Sequence, residues 1–166
     1  MDVKPVTCLV VVDLQKGFLC PETKGLAERI VSLLEERSFD FVVGTRFENQ
    51  PDSLFVRQIG WDGLMDRESQ ALLPGIEKRC DRIFSKTGYT CMTPEFRSFL
   101  TEKGITELYF AGMDTEACVL KSAADAFESG IPCRVFSQYC ASSMGIPSHE
   151  AGLLVLKNLI GEQGLV

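Results

Sequence analysis

Three side chains in this sequence stand where an α/β protein keeps its chemistry. Asp13 follows the apolar run Val10-Val11-Val12, Lys86 follows Phe84-Ser85, and Cys118 follows Gly112-Met113-Asp114-Thr115-Glu116-Ala117. Each lies just past a predicted strand. A thiolate is a nucleophile toward a carbonyl carbon. A carboxylate can take the thiol proton and return it to a leaving amine. An ammonium beside both would hold the pair and stabilise the thiolate. Main-chain N–H groups of the tight Met113–Cys118 turn would face the developing oxyanion. Thr115 reads as a helix N-cap, which puts Cys118 in a first helical turn, where free N–H groups and the positive helix end favour a thiolate. Lys86 would lower the thiol pKa further. Iodoacetamide is therefore expected to label Cys118 ahead of the other six cysteines. Cys20 lies close enough in sequence to Asp13 to line the same cleft. The chemistry needs no histidine, and the one present, His149, reads as a structural hydrogen-bonding residue.

Taken singly, each residue has an ordinary use: a turn aspartate, a solvated loop lysine, a core cysteine. Their joint meaning depends on the elements that carry them. Thr7 to Val12 is a β-branched and apolar run without polar alternation, as expected of a strand covered on both faces. Further strands are predicted at Phe39–Thr45, Arg82–Ser85, Glu107–Gly112 and Pro132–Ser137. Helical spacing marks Lys24–Arg37, Pro94–Lys103, Thr115–Ser129 and Ile146–Ile160, with a short helix within Glu68–Arg79. Residues 49–66 read as an irregular excursion. Alternating strand and helix implies an α/β fold with a parallel sheet and helices on both faces. In such sheets ligands bind at the carboxyl ends of the strands, so acid, base and thiol are brought to one edge.

Composition narrows the partners. A chain of 166 residues with 45% hydrophobic content suits one globular domain, here 1–166. A net charge of −6 without a basic run argues against nucleic acid and against anionic membrane surfaces. The N-terminal residues do not read as a signal peptide, and the longest apolar stretch near the start is too short to span a bilayer. Seven scattered cysteines without a CxxC pair favour reduced thiols in a cytoplasmic setting. Other chemistries lack their residues. A HAD-type phosphatase needs an Asp where Gln15 stands, and a cysteine phosphatase needs an Arg where Ala124 stands. The Gly-x-Ser-x-Gly elbow, the P-loop and the GxGxxG fingerprint are absent.

The stretches Val11-Val12-Asp13-Leu14-Gln15-Lys16-Gly17-Phe18, Lys86-Thr87-Gly88-Tyr89 and Ala111-Gly112-Met113-Asp114-Thr115-Glu116-Ala117-Cys118-Val119 resemble, in order and spacing, the isochorismatase-like cysteine hydrolases. The resemblance runs on through His149-Glu150-Ala151. It implies a single-domain, Rossmann-like three-layer sandwich with a mainly parallel sheet of about six strands. It implies an Asp13–Lys86–Cys118 triad, a cis peptide at Met113–Asp114, and an oxyanion hole from the amides of Asp114 and Cys118. Gln15, Phe18, Trp61 and Tyr89 are expected to line the substrate pocket, although the aromatics could equally serve in packing.

Nicotinamidases of the group carry an Asp-x-His…His metal site after the second strand. The matching region from Thr45 to Arg82 has no histidine, so no metal and no cofactor are expected, and nicotinamide becomes a poorer substrate. True isochorismatases lack the nucleophilic cysteine, so Cys118 favours C–N hydrolysis of an amide, carbamoyl or ureido group. The resemblance also implies a homo-oligomer, dimer or tetramer, with the apolar Ile146–Ile160 helix available as an interface. Two other readings stay open: an ether or ester hydrolase that does not need Cys118, and a non-catalytic binding or redox-sensing member.

Overall fold

The apolar run after the N-terminus becomes the centre of the sheet. The computed structural model describes residues 4–166. In it β1 (Thr7–Val12) is buried from Cys8 onward. β1 pairs in parallel with β2 (Phe41–Phe47) on one side and β4 (Glu107–Gly112) on the other, with Val10 opposite both Val43 and Phe110. β3 (Arg82–Lys86) pairs with β2, and β5 (Cys133–Cys140) with β4, giving the order β3-β2-β1-β4-β5. The sheet thus has five parallel strands rather than about six.

Successive β1 side chains point to opposite faces, and the two faces have separate cores. Cys8, Val10 and Val12 pack with Phe96, Phe99 and Leu100 of α5 (Pro94–Lys103), with Ala123 of α6 (Leu120–Glu128) and with Leu156 of α7 (Ile146–Ile160). Leu9 and Val11 pack with Leu26, Ile30 and Leu33 of α1 (Leu26–Glu36) and with Ile76. This is the three-layer arrangement that an uninterrupted apolar strand demands.

The strand order reverses direction between β1 and β4. That switch point leaves a crevice at the carboxyl ends of the two strands, and Asp13 and the segment 113–118 leave the sheet there. Several elements differ from the sequence expectation, among them β2, β5 and the helix after β4. β2 lies two residues later, ending at Phe47 rather than Thr45. β5 runs three residues further, past a register shift between Phe110 and Gly112 that lets Gly112 pair with Cys140. The predicted helix from Thr115 is two pieces: a wide π-type turn over Thr115–Val119, then α6. Residues 49–80 hold three single-turn helices, α2 (Leu54–Arg57), α3 (Arg67–Gln70) and α4 (Pro74–Glu77). Among the described residues no helix is long and apolar enough to cross a membrane.

Candidate active site

Asp13 is the first residue past β1 and is fully buried. Its backbone is left-handed, with φ of 46°. Thr45 of β2 pins it from the neighbouring strand: the Asp13 N–H donates to Thr45 Oγ1 (3.1 Å), and that hydroxyl donates to Asp13 Oδ1 (2.6 Å). Lys86 ends β3, two strands away from β1, a span of roughly 10 Å. A long flexible stem is needed to cross it. Lys86 passes Phe47, its register partner on β2, with Nζ 5.3 Å from the ring centroid. Nζ ends 2.7 Å from Asp13 Oδ2 and 3.4 Å from Cys118 Sγ. It also donates to the carbonyls of Gly88 (2.9 Å) and Tyr89 (3.0 Å). Both charged side chains are excluded from water, at 1% and 0% exposure. Asp13 Oδ2 meets the ammonium as a buried ion pair.

Cys118 sits in the π-type turn, 7% exposed. Its electrostatics reverse the sequence expectation. Burial raises the thiol pKa, the Asp13 carboxylate raises it further by charge and hydrogen bonding, and Lys86 lowers it without prevailing; the net is well above the ordinary thiol value. The resting group is therefore a thiol, not a thiolate. For Lys86, burial pulls the pKa down, but Asp13 and then Cys118 pull it up more strongly, and the net is upward. The ammonium stays charged.

The turn is held from outside rather than by a local cap. Thr115 does not act as the N-cap: it is buried, and its hydroxyl pairs with His149 Nδ1 of α7 at 2.7 Å. The residue at the cap position is Asp114, whose carbonyl accepts from the N–H groups of Ala117 and Val119. Its carboxylate accepts instead from Ser143 N–H (2.7 Å) and Ser143 Oγ (2.8 Å). The Met113–Asp114 peptide is cis. The Asp114 N–H donates to no acceptor among the described residues. Glu116 Oε1 accepts from Ser142 Oγ at 2.7 Å, and its Oε2 has no donor among the described residues.

A cavity of about 430 Å³ opens beside Cys118. Asp114, Glu116 and Ala117 share its floor with the thiol, and Phe18, Phe47, Phe55, Trp61 and Tyr89 wall it. Phe18 and Trp61 are parallel, 5.8 Å apart, and Phe55 meets Tyr89 edge-on at 5.0 Å. Phe18, Trp61 and Tyr89 line this cavity. Gln15 does not. It is fully buried; its Nε2 donates to the carbonyls of Phe47 (2.9 Å) and Gln70 (2.8 Å), and its Oε1 accepts from the Phe47 N–H (2.9 Å). It is a clamp between the ends of β1 and β2, with no polar atom left for a ligand. Cys20 also lies elsewhere, on a wider groove beside α1 that contains none of the converging side chains. Phe47, Phe55, Ser143 and Met144 are lining residues that sequence reasoning missed.

The model of the isochorismatase domain matches residues 7–163. Among curated proteins no sequence match reaches significance. Solved structures resemble the chain closely. An isochorismatase-like hydrolase from Alkaliphilus metalliredigens superposes with a TM-score of 0.80 at 19% identity, covering 92% of this chain and 91% of the other. A nicotinamidase from Bacillus subtilis gives 0.78 at 25% identity, covering 94% and 97%. A pyrazinamidase of Pyrococcus horikoshii in complex with zinc gives 0.77 at 19% identity, covering 97% of each chain. The residues of the present chain do not fit a zinc ion. Among the described residues no three His, Cys, Asp or Glu side chains form a metal-holding group. After β2, Glu48 is taken by Arg46 and Ser85, and the Asn49 amide by the carbonyls of Trp61 and Gly63.

Proposed function

The chain belongs to the isochorismatase domain family, the family of isochorismatase-like hydrolases, and from that premise we propose that it is a metal-independent cysteine hydrolase that cleaves a C–N bond of a small amide, carbamoyl or ureido compound. The observation that carries this reading is Lys86 Nζ seated between Asp13 Oδ2 (2.7 Å) and Cys118 Sγ (3.4 Å), with Cys118 lining an aromatic cavity.

The proximity of carboxylate, ammonium and thiol, with the thiol pKa raised, supports one order of events. Asp13 Oδ2 takes the thiol proton as Sγ attacks the carbonyl carbon, so the thiolate forms in the act of attack. Lys86 remains protonated and holds the carboxylate and sulfur together. The oxyanion is received by the amides of Asp114 and Cys118, of which the Asp114 N–H has no competing acceptor among the described residues. Asp13 then returns its proton to the leaving nitrogen, which departs as ammonia or an amine, and a thioester remains on Cys118. Water, deprotonated by Asp13, attacks the thioester and restores the thiol. The 25% identity to a nicotinamidase supports amide chemistry over ether cleavage.

The same reading takes residues 1–166 as one isochorismatase-like hydrolase domain acting in the cytoplasm as a homo-oligomer, dimer or tetramer. Ile146, Leu154, Val155 and Leu159 of α7, all exposed, support the oligomer, and light scattering on the eluting protein tests it. For the reaction, Cys118→Ala should abolish ammonia release from a panel of small primary amides and carbamoyl compounds while the far-UV spectrum stays native. Full turnover by the variant would sink the thiol mechanism and favour an ether or ester hydrolase.

A further inference from the structure

The charges around the cavity are one-sided. Two acidic residues, Asp114 and Glu116, line it beside Cys118, Glu116 with Oε2 buried and Oε1 held by Ser142 Oγ, and among the described residues no lysine, arginine or histidine lines it. The nearest cation, Lys86, is committed to Asp13, two carbonyls and the thiol. Ser143 holds Asp114 through two hydrogen bonds, which orient the carboxylate without cancelling its charge. Burial raises the Asp114 pKa; Ser143 counters it, but Glu116 and Asp13 add to the rise, and the net is upward. The floor therefore already carries mutual repulsion. Aromatic rings wall the cavity, with Phe18 and Trp61 only 4° from parallel. Ring faces attract cations and apolar rings and disfavour anions.

We propose that this cavity selects amides whose non-reacting end is an uncharged or cationic ring and rejects substrates bearing a carboxylate, with Asp114 as the specificity-determining residue. A substrate carboxylate would add negative charge beside Asp114 and find no cation among the described lining residues to meet it. A neutral ring would fill the aromatic walls, and an ammonium would also relieve the repulsion at Asp114. The proposal rests on the amidohydrolase reading for turnover, but the selection itself is read by binding.

The test is calorimetric titration of Cys118→Ala with three para-substituted benzamides of similar shape, carrying methyl, aminomethyl or carboxylate. The methyl and aminomethyl compounds should bind at least about tenfold more tightly than the carboxylate, a modest value for one like-charge contact near a protein surface. Adding Asp114→Asn should close most of that gap by strengthening the carboxylate compound. A carboxylate that binds as tightly as the methyl compound overturns the proposal, and so does the failure of all three to bind. An unchanged gap in folded Asp114→Asn overturns the role of Asp114; should that variant not fold, the ranking in Cys118→Ala alone decides. If the ranking holds while the wild type releases no ammonia from the bound amides, the selection stands and the hydrolase reading fails.

Discussion

The buried pair Asp13–Lys86 supports a quantitative prediction. Both side chains are out of water, so removing either strands a charge in a site that cannot solvate it. That costs about 3–5 kcal/mol. Lys86→Met, close in shape, should lose this amount and also leave the Gly88 and Tyr89 carbonyls without their donor, about 1 kcal/mol each. In a domain of this size its Tm should fall by roughly 10–28 °C. Asp13→Asn should cost a similar amount, because the ammonium then lacks its counter-charge. The double variant strands no charge, so its loss should be smaller than the sum of the singles by roughly 3 kcal/mol. Urea unfolding of the four proteins at pH 7, followed by circular dichroism, measures that coupling. Additivity within about 0.5 kcal/mol would refute the pairing. pH supplies an independent check. The folded Lys86 pKa is raised above its ordinary 10.5, so the folded state holds this proton more tightly than the unfolded chain does. The stabilisation is complete below the ordinary value and is lost only as pH rises through the raised one. Wild type and Lys86→Met should therefore differ at neutral pH and converge in strong alkali.

Two further outcomes follow from the environment of the thiol. Cys20 is partly exposed and Cys118 nearly buried, so iodoacetamide at pH 8 should label Cys20 first. Labelling of Cys118 should keep rising above pH 9, because its thiol titrates well above the ordinary value; peptide mass mapping that shows Cys118 saturating below pH 9 would contradict this. Gly152 of α7 touches the turn that carries Cys118, since a Cβ there would lie 2.8 Å from both Cα and N of Glu116. Gly152→Ala should cost about 1–3 kcal/mol by overpacking and lower kcat for any amide turned over by the wild type. Unchanged kcat would show that α7 does not set the position of Cys118.

What could be read in advance was set by local pattern and by residue type. The covered strand Thr7–Val12, the helix between Pro94 and Gly104, and the closing helix Ile146–Ile160 coincide with the observed elements to the residue or nearly so. Their apolar spacing and end signals agree with one another, so tertiary contacts had nothing to override. Asp13, Lys86 and Cys118 were legible as a group because a parallel sheet brings strand ends together regardless of loop detail. The excursion over 49–66 was not legible. Its one helical turn, Leu54–Arg57, has no period to detect, and Phe55 faces the cavity through contacts with Phe47, Trp61 and Tyr89. Those are pairings across the chain that no window contains.

Gln15 and Thr115 show how a local rule loses. Two residues past a catalytic-looking aspartate, a glutamine suggests a ligand contact, yet its amide satisfies the main chain of Phe47 and Gln70. A threonine before an apolar run suggests a cap, yet its hydroxyl is taken by His149 from thirty-four residues away. The protonation state of Cys118 failed for the same kind of reason and matters most. A helix start and a nearby lysine both favour a thiolate, and both are visible in the sequence. Desolvation by the folded core and the adjoining Asp13 carboxylate oppose them, and neither exists until the sheet has formed. The same two influences that keep the sulfur protonated place a carboxylate beside it to remove that proton. Under the proposed mechanism Asp13 serves as a base as well as a charge partner, and a nucleophile ionised in advance would make that base redundant.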